Sequence, residues 1–149
     1  MSHLFWMNEA LYMAKLAYKN NEVPVGAIVV KNNEIIGHGY NSSILLNDAS
    51  AHAEIIAIRN AGKKIKNHRL INACIYVTLE PCSMCFGAIT QARISKVFFG
   101  AYDSKTGVCG SCDNHTEKNY FNHRPELEGG ILETECSEII SNFFKSKRN

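Results

Sequence analysis

Several things are scarce in this chain of 149 residues, and each scarcity narrows what it can be. No stretch is long and apolar enough to cross a membrane. The first 20 residues carry no signal-peptide pattern, because Glu9 and Lys15 interrupt them. A cytoplasmic location with no membrane partner is the expectation. Only three prolines and no low-complexity tract argue against extended disorder, and 46% hydrophobic residues suffice for one core. One domain spanning 1–149 is expected, with no internal repeat and no domain-sized linker.

Acidic residues are missing between Ile55 and Leu79, where Arg59, Lys63, Lys64, Lys66 and Arg69 supply positive charge. The C-terminus repeats this with Lys145, Lys147 and Arg148, while acids gather at Glu126, Glu128, Glu133, Glu135 and Glu138. A net charge of +2 is weak evidence for a nucleic-acid partner, and a solvated lysine-rich loop explains the basic stretch as well. Without a secretory pattern, the six cysteines read better as ligands or free thiols than as a disulfide framework.

Along the chain, Met7, Leu11, Ala14 and Tyr18 form the buried stripe of a helix over 4–19. Residues 23–30 read as a strand, Lys31-Asn32-Asn33 as a turn and 34–40 as a returning strand. A helix is expected over 52–60 with Ser50 as its N-cap, then a basic linker, then a strand over 74–79. Pro81 is expected to open a helix to about Ala92, followed by a strand over 96–100. Residues 102–125 form a polar loop region, and a helix over 134–147 closes the chain on Cys136, Ile139, Ile140, Phe143 and Phe144. This order fits a layered α/β domain, with the unusual residues at two strand-to-helix junctions.

The sharpest of these is Pro81-Cys82-Ser83-Met84-Cys85. Cysteines at i and i+3 on a first helical turn share one side, and the positive helix end favours their thiolates. Alone, the pair would suit a metal, a redox couple or plain burial. His52-Ala53-Glu54 shifts the balance, because His52 offers a third ligand and leaves zinc a fourth position for water. Zinc so held makes water a nucleophile near neutral pH, and an unligated Glu54 would carry protons to ring nitrogen and departing amine. Taken singly, His52 could be a core histidine and Glu54 a surface acid. Together with Pro-Cys-x-x-Cys they form a deaminase signature.

Beyond these motifs the chain resembles the bacterial tRNA-specific adenosine deaminases, within the wider cytidine-deaminase-like fold. The likeness runs through Glu22-Val23-Pro24-Val25-Gly26-Ala27, Gly39-Tyr40-Asn41, Ala51-His52-Ala53-Glu54 and Tyr76 to Cys85. It continues in Val97-Phe98-Phe99-Gly100-Ala101, Lys105-Thr106-Gly107, Asn122-His123-Arg124-Pro125 and the Phe143-Phe144 ending. The resemblance implies an α/β three-layer fold whose central, mostly parallel five-stranded sheet is covered by helices. It implies a homodimer with one Zn2+ per subunit, held by His52, Cys82 and Cys85, with Glu54 as proton shuttle. Its substrate would be adenosine 34 in the anticodon stem-loop of an arginine tRNA, converted to inosine.

By the same likeness Asn41 would bond the flipped base and the Ala53 backbone would help fix it. Val25 and Leu79 would line the base pocket, although each suits ordinary strand core. Asp103, Lys105, Phe144, Lys147 and Arg148 would meet the anticodon loop. An anticodon-loop base already lies outside a duplex, so presenting it costs little. Three departures stand out. The loop 41–48 is less basic than usual, Tyr102 stands where arginine is common, and Cys109-Gly110-Ser111-Cys112 adds a second C-x-x-C. That pair reads as an oxidisable surface dithiol, or as half of a four-cysteine structural zinc site. The competing functions are deamination of a free base or nucleoside, such as guanine or cytosine, and a zinc-stabilised RNA-binding module.

Overall fold

The structure is a computed structural model and describes residues 1–148. Helix α1 (His3–Lys19) starts where the Ser2 hydroxyl accepts from the Phe5 N–H at 3.2 Å, and it buries Trp6, Met7, Ala10, Leu11, Ala14 and Ala17. Strands β1 (Gly26–Lys31) and β2 (Glu34–Tyr40) form a hairpin. Its turn places Asn32 and Asn33 both at positive φ, the type I′ geometry that asparagine tolerates. Then follow α2 (Ala53–Ile65), β3 (Cys74–Leu79), α3 (Ser83–Gln91), β4 (Lys96–Ala101), β5 (Glu126–Glu128) and α4 (Glu133–Lys147).

The five strands form one sheet in the order β2-β1-β3-β4-β5. β1 pairs antiparallel with both β2 and β3, whereas β3, β4 and β5 pair in parallel. Four strands therefore run one way and β1 runs against them. Because side chains alternate across a strand, β1 feeds two cores. Ala27 and Val29 pack with Ala53, Ala57 and Ala61 of α2 and with Phe86 and Ile89 of α3. Ile28 and Val30 pack on the other face with Trp6, Met7 and Ala10 of α1 and Cys136 of α4. This is the three-layer α/β arrangement expected, with helices packed on both faces of the sheet.

Local boundaries differ from the sequence reading in instructive ways. β1 begins at Gly26, because the Val25 N–H turns back to the Val23 carbonyl at 2.8 Å beside Pro24. α2 runs through the expected linker to Ile65 and ends at Lys66, which takes the left-handed conformation (φ 57). Ser50 does not cap it; its hydroxyl bonds Asp48 at 2.7 Å, and His52 holds the N-cap position. Pro81 lies outside α3, whose N-cap is Cys82. β5 was not visible to periodicity, since Glu126-Leu127-Glu128 is short and rich in a poor strand former.

The direction of the strands decides where chemistry can sit. The ends of β2, β3 and β4 and the start of β1 share one rim of the sheet. That rim brings Val25, Asn41, Leu79 with Glu80, and Ala101 through Asp103 to the starts of α2 and α3.

Candidate active site

His52 and Cys82 each occupy the N-cap position of a helix in extended backbone conformation, and neither side chain makes a capping hydrogen bond. Both are instead turned toward one another. His52 Nδ1 lies 3.7 Å from Cys82 Sγ and 3.5 Å from Cys85 Sγ, and the three donor atoms all fall within 4.8 Å of one another. Zinc–nitrogen bonds near 2.0–2.1 Å and zinc–sulfur bonds near 2.3 Å, at a tetrahedral angle, put N and S about 3.6 Å apart. The two observed separations match that figure, and one imidazole with two sulfurs is a donor set zinc favours. Among the described residues this is the cluster of metal-ligating groups, and neither Cys109 nor Cys112 joins it.

Electrostatics within the cluster are strongly polarised. The hydrogen bond from Cys85 brings the Cys82 thiol down to about 4, and the nearby imidazole adds to this. The same bond and burial push Cys85 upward. His52 is raised, first by its bond to Cys82. Glu54 is 4% exposed, and burial lifts its carboxyl to about 7, with the Cys82 charge acting in the same direction. A carboxyl in that range both accepts and releases protons at neutral pH.

Beside the cluster lies a cavity of about 230 Å3, lined by Val25, Asn41, His52, Glu54, Leu79 and Asp103 among others. It is smaller than the roughly 300–1,000 Å3 pockets that enclose drug-sized ligands, and suits one planar base. The Ala53 N–H donates to Asn41 Oδ1 at 2.8 Å, which orients the asparagine and directs its amide NH2 away from the helix start. A larger cavity of about 500 Å3 adjoins it through Leu79 and Asp103 and is lined by Lys105 and Phe144. A third, of about 460 Å3, adjoins it through Asn41 and includes Lys147, whose Nζ bonds Asn21 Oδ1 at 3.0 Å. Arg148 follows on the exposed C-cap of α4.

Two buried carboxylates of the site had no role from sequence. Glu22, 2% exposed, accepts from the Ile44 and Leu45 N–H groups at 3.2 and 2.7 Å and so ties down the loop after Asn41. Glu80, also 2% exposed, lines the smaller cavity and gathers the 103–111 segment around itself. The available signal was their position: an acid next to an apolar strand and a proline, where burial is expected. The Cys109–Cys112 pair is a surface dithiol only at Cys112, since Cys109 is buried. Tyr102 is half exposed and meets the Phe99 ring edge-on at 5.2 Å.

Comparison with known proteins agrees with this geometry. The model of the MafB19-like deaminases matches residues 1–148. A tRNA-specific adenosine deaminase of Buchnera aphidicola subsp. Baizongia pistaciae is 48% identical over 147 residues, covering 99% of this chain and 91% of that protein. A solved structure from work on A-to-I editing by tRNA:A34 deaminases superposes with a TM-score of 0.88 at 40% identity, covering 91% of this chain and 98% of the other. A Bacillus subtilis guanine deaminase superposes less closely, with a TM-score of 0.67 at 30% identity over 100% and 95% of the two chains. On this fold, cluster and likeness, the chain belongs to the MafB19-like deaminase family and, with its close relatives, to the bacterial tRNA-specific adenosine deaminases.

Proposed function

We propose that this chain hydrolyses adenosine to inosine at the wobble position of tRNA, with ammonia as the second product, and that its substrate is adenosine 34 of an arginine tRNA. The observation that carries the reading is the juxtaposition of the His52–Cys82–Cys85 cluster, buried Glu54 and Asn41 around one base-sized cavity.

His52, Cys82 and Cys85 would hold one Zn2+ per subunit, which supplies Lewis acidity that makes water a nucleophile near neutral pH. Glu54 takes the proton released when water adds to C6 of the base and passes it to ring N1. A second transfer through the same carboxyl protonates the exocyclic nitrogen as the C6–N bond breaks. Its burial keeps bulk water from competing for these protons. Asn41, steadied by the Ala53 N–H, offers its amide NH2 to an acceptor nitrogen of the base. Val25 and Leu79 provide apolar walls for the ring.

The flanking nucleotides would lie in the adjoining cavities, against Asp103, Lys105 and Phe144 on one side and Lys147 on the other, with Arg148 meeting phosphate. Base stacking on an exposed aromatic such as Phe144 contributes about 1–3 kcal/mol. The enzyme would act as a homodimer in the cytoplasm, with 1–149 as one catalytic domain. No helix among the described residues is long and apolar enough to cross a membrane.

Incubating the zinc-loaded protein with a total tRNA pool and mapping inosine tests reaction, base and RNA context at once. Inosine at position 34 of an arginine tRNA is the expected product. Rapid turnover of free guanine or cytosine with no change in any tRNA would replace this reading with the small-substrate one.

A further inference from the structure

Glu80 sits between the last residue of β3 and Pro81, two residues before Cys82, and is 2% exposed. Among the described residues no lysine, arginine or histidine lies within salt-bridge range of it. Its carboxylate is instead filled by four donors from a single returning segment. Oε1 accepts from the Asp103 N–H at 3.0 Å and from the Ser111 hydroxyl; Oε2 accepts from the N–H groups of Cys109 at 2.9 Å and Ser111 at 3.1 Å. Two carboxylate oxygens offer about four acceptor sites, so the group is fully used. Gly107 passes so close that an added Cβ would overlap the Glu80 carboxyl carbon.

What hangs from this anchor is a wall of the cleft. Asp103, whose backbone Glu80 holds, turns its own carboxylate onto the Lys105 and Thr106 N–H groups at 3.0 and 3.2 Å and the Thr106 hydroxyl at 2.9 Å. Asp103 and Thr106 line the base-sized cavity, and with Lys105 they line the larger one beside it. The rest of the attachment is backbone: Val108 N–H to the Pro81 carbonyl at 3.0 Å and Glu80 N–H to Ala101 at 2.8 Å.

We propose that Glu80 is a positioning residue for RNA binding: its carboxylate sets the 103–106 wall of the cleft at a fixed distance from the Cys82 helix start. In this role it acts through the segment it holds and not on the reacting atoms. Its effect falls on how firmly RNA is gripped rather than on the rate of C–N cleavage. The proposal rests on reading the chain as a tRNA deaminase.

Glu80→Gln tests it with nearly the same shape. Each carboxylate oxygen serves two donors, so whichever way the glutamine amide is turned, its NH2 group faces two other donors. In the zinc-loaded enzyme acting on an anticodon stem-loop, KM should rise tenfold or more while kcat stays within about threefold. Amide hydrogen exchange at Asp103, Cys109 and Ser111 should accelerate, with α1 and β1 unchanged and one zinc retained per chain. Ser111→Ala, which removes one donor from outside the cleft, should raise KM by about twofold to threefold and carries the test if Glu80→Gln fails to fold.

A fall in kcat at unchanged KM would place Glu80 in the chemistry and overturn the proposal. Unchanged exchange in the 103–111 segment of both variants would overturn it as well. If the wild-type enzyme leaves every tRNA untouched, the substrate reading falls instead, and the exchange data still decide whether Glu80 anchors the wall.

Discussion

Glu54 and Phe144 show how much one side chain decides here. With its carboxyl held near 7 by burial, Glu54 is the proton carrier of the proposed reaction. Glu54→Ala should lower kcat by roughly 100-fold to 10,000-fold while zinc content, measured by atomic absorption, stays at one per chain. Inosine formation at the wild-type rate would sink that role. By periodicity Phe143 and Phe144 both suited a last buried helix turn, and only the family likeness marked Phe144 as an anticodon-loop contact. Phe143 is buried against the Tyr18 ring edge at 5.5 Å, whereas Phe144 is 42% exposed in the larger cavity. Phe143→Ala should therefore cost about 3 kcal/mol in urea unfolding. Phe144→Ala should leave the unfolding midpoint in place and raise KM for tRNA. The histidine and the cysteine pair were readable only once His-x-Glu and Pro-Cys-x-x-Cys were taken together, and the structure gathers their three donor atoms. The Asn41–Ala53 bond and the Glu22 and Glu80 anchors were not readable, since each depends on a loop returning from 12 or more positions away.

Among the elements, the helices and main strands were readable because their apolar periods are long, and their ends were less so. α2 outran its expected end because Lys63 and Lys64 are good helix formers whose charges favour a C-terminal turn. Strand β2 meets this helix with almost no gap: at Gly37 an added methyl would overlap the Ala57 carbonyl oxygen, and at Gly39 that of Ala53. Glycine at these places lets the sheet come close enough for Asn41 to reach the helix start. Gly39→Ala should push the first turn of α2 outward, destabilise the fold by about 1–3 kcal/mol and weaken zinc retention under dialysis against a chelator. Gly37→Ala, two residues further from the helix start, should destabilise comparably but keep its zinc. Equal metal loss in both variants would mean that the whole helix, not its first turn, sets the site.

For the whole molecule, the two cores on either side of the sheet bury groups whose ionisation the fold resists. Burial pushes the thiols of Cys109 and Cys136 up to about 12 from an ordinary value of 9.0, and the Tyr76 phenol to about 12 from 10.0. The folded chain keeps these protons where the unfolded chain has released them. Their contribution to stability is thus complete below about pH 9 and declines as pH rises toward 12. Urea midpoints should fall between pH 8 and pH 11, and Cys136→Ala should fall less steeply than wild type over that interval. A parallel decline in both would assign the alkaline loss to other groups.

The two N-cap positions that carry His52 and Cys82 link metal and architecture in a further way. A serine or aspartate there would have secured each helix locally; a metal ion shared by these side chains would take over that task. Metal binding would then stitch the starts of the two helices to each other beside the base-sized cavity. Chelation would slacken both beginnings at once, and the proton carrier would lose its aim together with the nucleophile. Demetallation would then abolish the proposed reactivity in one step, with no half-assembled centre left to act on another amine.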